Sequence, residues 1–115
     1  MSDGTVRWID IGALDDIPLR GSRVVKSPLG CVALFRTAAE EVFALDDKCP
    51  HKGGPLSQGI VHDRAVTCPL HNWVISLESG KALGADTGEV ATYAVRVQEG
   101  RILLDASRWL GDKVA

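Results

Sequence analysis

The sequence predicts an all-β fold: small stacked antiparallel sheets carrying an inserted pair of loops. Three observations point there. Apolar and β-branched residues come in short runs, turn residues punctuate those runs, and no stretch keeps a helical period over about ten residues except 106–113. No repeat, low-complexity stretch or linker interrupts the chain. Its 115 residues are therefore expected to form one domain (1–115) with a single small core.

Taken in order, Val6 to Ile11 reads as a first strand, β-branched and aromatic with partial alternation. Gly12 to Pro18 is a turn-rich connection with at most one helical turn. Ser22 to Lys26 is a short strand, and Ser27-Pro28-Leu29-Gly30 a turn. Cys31 to Arg36 is an almost unbroken apolar run, as expected of a buried strand. Thr37 to Glu40 turns, and Glu41 to Leu45 returns as the hairpin partner. Gly59-Ile60-Val61 and Ala65-Val66-Thr67 flank His62-Asp63-Arg64 as a tight hairpin. Val74 to Leu77 is a strand that turns at Glu78-Ser79-Gly80. Tyr93 to Val97 alternates, with Tyr93, Val95 and Val97 on one face, and Arg101 to Leu104 is the last strand.

The chemistry lies between these strands. One loop reads Cys49-Pro50-His51 and the next Cys68-Pro69-Leu70-His71, with sixteen residues between His51 and Cys68. Two cysteines and two histidines in this pattern suggest a four-ligand metal site, with Gly53, Gly54, Pro55 and Gly59 punctuating the first loop. Zinc modules usually pair Cys with Cys and His with His. Here each loop offers one sulfur and one nitrogen. That suits a two-iron centre in which both cysteines reach one iron and both histidines the other. A structural zinc site is the alternative from another class.

This pattern resembles the Rieske ferredoxin family, whose motif C-x-H-x₁₅₋₁₇-C-x₂-H is matched at all four positions. The resemblance implies a Rieske-type small antiparallel β-sandwich or barrel. Its cluster-binding subdomain would span about 47–77 and a C-terminal tail about 105–115. It implies one 2Fe–2S cluster held by Cys49, His51, Cys68 and His71. The runs Cys49 to Gly59, Cys68 to Ile75, Leu83-Gly84-Ala85-Asp86 and Tyr93 to Val97 are similar to the Rieske-type small subunits of assimilatory NAD(P)H nitrite reductases. That likeness implies a large subunit with flavin and siroheme that reduces nitrite to ammonium in nitrate assimilation. The alternative is the Rieske ferredoxin of aromatic-ring-hydroxylating dioxygenases, with a ferredoxin reductase and an oxygenase as partners. Those ferredoxins tend to read His-Gly-Gly-x-Phe where this chain has His71-Asn72-Trp73.

Other features bound the function. The net charge of −2 gives no case for nucleic acid or an anionic membrane. The first residues lack an apolar signal region, and no run of about 20 apolar residues exists, so a cytoplasmic location is expected. Three cysteines with two used as ligands leave Cys31 alone, which also fits a reducing compartment. The chain has no Gly-x-Gly-x-x-Gly turn, no phosphate loop, no histidine beyond His71 and no catalytic Ser or Cys with a free His. It is thus read as a one-electron carrier with no catalytic residues or substrate site of its own.

Individual residues carry further expectations. Cys31 is read as a small hydrophobe in a buried strand, His62 as a solvated turn residue, and Lys52 as a solvated rim charge. Trp73 is read as packing under the second loop and shielding the sulfurs. Trp109 is a lid over a sheet or part of a partner surface. By resemblance, respiratory members place an extra cysteine where this chain has Gly54 and Leu70, and a serine donor where it has Trp73. The expected potential therefore lies at the low end, near roughly −150 mV. It should be flat around neutrality and fall at alkaline pH, by up to about 59 mV per pH unit for each proton coupled to one electron.

Overall fold

The computed structural model describes residues 8–27, 30–49, 54–69, 72–83 and 88–107. Among these residues ten strands form three antiparallel sheets. The first sheet joins β1 (Trp8–Ala13), β10 (Arg101–Asp105) and β9 (Val95–Gln98), in that order. The second runs β2 (Gly21–Ser27), β3 (Gly30–Arg36), β4 (Val42–Asp46) and β8 (Thr92–Tyr93). The third is β5 (Ile60–His62), β6 (Ala65–Thr67) and β7 (Val74–Ser76).

The apolar run in β3 explains the layering. Val32 and Leu34 point into one core with Ile17, Ala44, Ile102 and Leu104. Ala33 and Phe35 point into another, with Leu45, Val61, Val66 and Ile75. Side chains on a strand alternate between faces, so the four-stranded sheet is a middle layer covered on both sides. The first sheet closes one core and the third closes the other. Both ligand cysteines named from the sequence sit in the second core.

Local chemistry sets the connections. The expected helical turn is a short 3-10 segment, Leu14–Asp16, whose Asp16 carboxylate accepts the Ala13 N–H at 3.0 Å. The hairpin from β5 to β6 turns at Asp63 and Arg64, with Asp63 at φ 51°. Arg36 is buried and donates to the carbonyl of Ile17 at 2.7 Å and to Glu40 at 2.7 Å, tying the 3-10 segment to the middle sheet.

Three expectations are corrected. Cys31 is exposed, because burial along β3 begins only at Val32, past the Ser27–Gly30 end of the hairpin. The run from Tyr93 to Val97 is not one strand. Tyr93 pairs with Ala44 in the middle sheet and Val95 with Leu104 in the first, so the chain changes layers at Ala94. His62 is no free turn residue: it ends β5, half-buried, with its Nε2 2.7 Å from Thr67 Oγ1. The first strand begins at Trp8 among the described residues and runs on to Ala13. The expected helical segment at 106–113 and Trp109 lie almost wholly outside the described residues.

Candidate metal centre

The first ligand loop leaves β4 under tight control. Asp46 donates its N–H to Ala91 O at 3.0 Å, and its carboxylate accepts the Tyr93 hydroxyl at 2.7 Å. The next amide, Asp47 N–H, donates to Cys31 O at 2.9 Å. Cys49 follows at 2% exposure, and its N–H donates to Gly54 O at 2.7 Å. The loop exits through a 3-10 turn, Leu56–Gln58, anchored by a fully buried Leu56.

The second loop sits at the mouth of the β6–β7 hairpin, where Thr67 pairs with Val74. Cys68 is fully buried, and its N–H donates to Trp73 O at 2.7 Å. The two closures are equivalent, each joining a cysteine N–H to the carbonyl five positions later (49 to 54, 68 to 73). Asn72 takes the left-handed conformation at φ 57°, which Asn tolerates better than most residues. The Trp73 side chain is partly buried and packs against the core that contains both cysteines.

Cys49 and Cys68 are therefore two buried, unbridged thiols in one packed cluster of apolar side chains. In sequence, His51 falls between Cys49 and Gly54, and His71 between Cys68 and Trp73. Both histidines, with Lys52 and the 84–87 stretch, lie outside the described residues. Among the described residues no group of three His, Cys, Asp or Glu side chains comes together. Paired thiols in dry surroundings, each on a hydrogen-bonded loop, are what an iron bound through sulfur requires, so the described half of the donor set fits a cluster.

The Rieske-like 2Fe–2S domain model matches residues 7–105. The chain belongs to that family. It is a Rieske 2Fe–2S electron-transfer protein and carries one Rieske-type cluster. It is 35% identical over 101 residues to the ferredoxin component of naphthalene 1,2-dioxygenase/salicylate 5-hydroxylase systems from Ralstonia sp, covering 87% of this chain and 96% of that one. A candidate NADH-dependent nitrite reductase small subunit from Mycobacterium tuberculosis is 32% identical, with a TM-score of 0.77. That match covers 86% of this chain and 94% of the other. The carbazole 1,9a-dioxygenase ferredoxin of Nocardioides aromaticivorans shares the fold at a TM-score of 0.77 and 22% identity, over 85% and 96% of the two chains. Among the described residues of this Rieske protein, no helix is long and apolar enough to cross a membrane.

Sequence reasoning missed how the loops are anchored. Ser57 donates its N–H to Asp47 Oδ1 at 2.7 Å and its hydroxyl to Asp47 Oδ2 at 2.8 Å, while Ser22 Oγ donates to Ser57 O. An acid before the first cysteine and a serine near the loop's exit were the available signal. It becomes legible only once the loop is closed. A second tie lies at the far end of the third sheet, where Arg64 forks onto Glu41 at 3.0 and 2.7 Å. That hydrogen-bonded carboxylate, then its charge and that of Glu78, hold the Arg64 guanidinium still further above its ordinary range.

Proposed function

We propose that this chain is the electron-carrying small subunit of a cytoplasmic NAD(P)H-dependent nitrite reductase, serving nitrate assimilation beside a large flavin and siroheme subunit. In this reading residues 47–77 form the cluster-binding subdomain within one domain, and 105–115 form a tail. Cys49 and Cys68 bind one iron as thiolates, and His51 and His71 bind the other as neutral imidazoles. The cluster supplies one-electron transfer. The chain's own residues hold it, keep water from its sulfurs and leave nitrite reduction to the partner.

The observation that carries this reading is the second loop. Asn72 occupies a left-handed position, and Trp73 beside it packs against the cysteine-bearing core. The dioxygenase ferredoxins tend towards glycines and a phenylalanine in this stretch, whereas the run Cys68 to Ile75 resembles the nitrite reductase small subunits. The 32% identity to a nitrite reductase small subunit supports it. A second reading, the ferredoxin of a ring-hydroxylating dioxygenase, is favoured by the 35% identity to a naphthalene dioxygenase ferredoxin.

Reconstitution separates the two. The holoprotein is mixed with a flavin–siroheme large subunit, and nitrite-dependent oxidation of NADH or NADPH is followed with ammonium as product. Cys68→Ser serves as the cluster-free control. Turnover that needs the intact holoprotein is expected. Failure there, together with support of ring hydroxylation by a ferredoxin reductase and oxygenase pair, would replace the first reading by the second.

A further inference from the structure

All three polar groups of Ser57 are engaged: its N–H and hydroxyl on the Asp47 carboxylate, its carbonyl on Ser22. Asp47 and Ser57 stand ten residues apart and bracket the first ligand loop. The Asp47 carboxylate thus spans the neck of that loop, and Ser22 ties the neck to β2 of the middle sheet. The second loop has no need of such a clamp, because the Thr67–Val74 pair of the β6–β7 ladder closes its neck. Side-chain closure by a carboxylate is charge-assisted and accepts two donors at once, so it fixes direction as well as distance.

From this geometry we propose that Asp47 is a positioning residue. Acting through Ser57, it holds the first loop in register with the second and so governs how firmly and in what electronic geometry the cluster is kept. The proposal rests on the ligand assignment above, and the experiment keeps the two apart.

Asp47→Ala removes both bonds to Ser57. Asp47→Asn can still accept the Ser57 N–H and donate its amide to the Ser57 hydroxyl. Ser57→Ala keeps only the backbone bond. Cluster release from each holoprotein is timed by visible absorbance in the presence of an iron chelator, and the reduced-state EPR spectrum is recorded. Release from Asp47→Ala is expected to be at least about tenfold faster than from the natural protein, with shifted or broadened g values. Asp47→Asn should stay within about twofold of the natural protein, and Ser57→Ala should fall between. Val95→Ala, packed in the other core, supplies a destabilised control whose EPR signal should not change.

If Asp47→Ala does not assemble, Ser57→Ala and Ser22→Ala carry the test through their graded release rates and spectra. Natural release rates and unchanged spectra in the clamp variants would overturn the proposal. So would an Asn variant as impaired as the Ala variant. Cys49→Ser reports separately on the ligand set: if it still holds a Rieske cluster, the assignment fails, whatever the clamp does.

Discussion

The two ligand loops look like copies of each other, yet they are built differently. Inside each, a cysteine N–H closes on the carbonyl five positions later (49 to 54, 68 to 73) at 2.7 Å, and each cysteine is buried in the same core. Outside, they part. The second loop hangs from a β-hairpin whose strands pair up to Thr67 and Val74. The first leaves a sheet strand, β4, but returns through a 3-10 turn that pairs with no strand among the described residues, and the Asp47 carboxylate spans its neck. A ladder distributes its closure over several backbone bonds and tolerates most side chains. A clamp concentrates closure in one side chain and fails with it. The near-symmetric spacing of Cys and His hides this difference.

The largest effects should be blind to the difference. Cys49→Ser and Cys68→Ser remove one sulfur each from the proposed ligand set, and metal binding is coupled to local order. Both are expected to abolish the 2Fe–2S spectrum, whereas His62→Ala keeps it, because the described contact of that ring is with Thr67. Iron and sulfide analysis with EPR checks this. A cluster surviving in one serine variant would show that the loops differ at the iron as well as at the neck.

Next comes the point where the loops touch. A Cβ on Gly59, at the exit of the first loop, would lie 2.2 Å from Thr67 O and 2.9 Å from Val66 Cγ2. Thr67 immediately precedes Cys68, so the first loop's exit rests on the second loop's neck. The obstacle is backbone and cannot rotate away. Gly59→Ala should cost about 2–3 kcal/mol in overpacking and hasten cluster loss. Denaturant melts followed at the cluster band test this, and a melt matching the natural protein would mean the two loops are not in contact there.

Trp73→Ala should act mainly on the second loop. The ring is only partly buried, so the cost is expected near 2 kcal/mol, below the range for a fully buried aromatic. Trp73→Phe should recover most of it. If Trp73→Ala destabilised the protein as much as a fully buried aromatic, the ring would have to support the first loop as well.

Much of this was legible in the sequence, and the reasons differ by region. The short strands, the 3-10 turn and the β5–β6 hairpin follow from local patterning and turn residues, which act over a few neighbours. Both cysteines were proposed as ligands because a metal site demands particular atoms at particular spacings, and the structure buries both in one core. What was not legible depends on distant partners. Cys31 looks buried by its neighbours, but sheet rims are set by where the hairpin ends. The layer change at Ala94 keeps the alternation of one strand while its hydrogen bonds pass to another sheet. The Asp47–Ser57–Ser22 relay joins three polar residues that periodicity treats as loop and strand-edge filler.

The smallest expected effect sets a baseline remote from both loops. Asp10 on β1 accepts from Arg101 on β10 at 2.9 and 3.0 Å, and from the Gly12 N–H at 3.0 Å. The Arg101 hydrogen bond first, then the Gly12 N–H, holds the Asp10 carboxyl below its ordinary 3.8. A carboxyl lowered in the folded state binds its proton less tightly than in the unfolded chain. Its contribution is therefore fully present above 3.8 and is lost as pH falls through the lower, folded value. The pair is exposed, so the contribution is small and screened by salt. Asp10→Asn should lower the Tm slightly and by the same amount at every pH from about 7 to 5, with the difference shrinking in high salt. Its cluster-release rate should equal that of the natural protein. A Tm difference that changes between those pH values would mean Asp10 titrates where the pair should keep it ionised. A faster release would mean that the outer sheet, as well as the clamp and the ladder, supports the ligand loops.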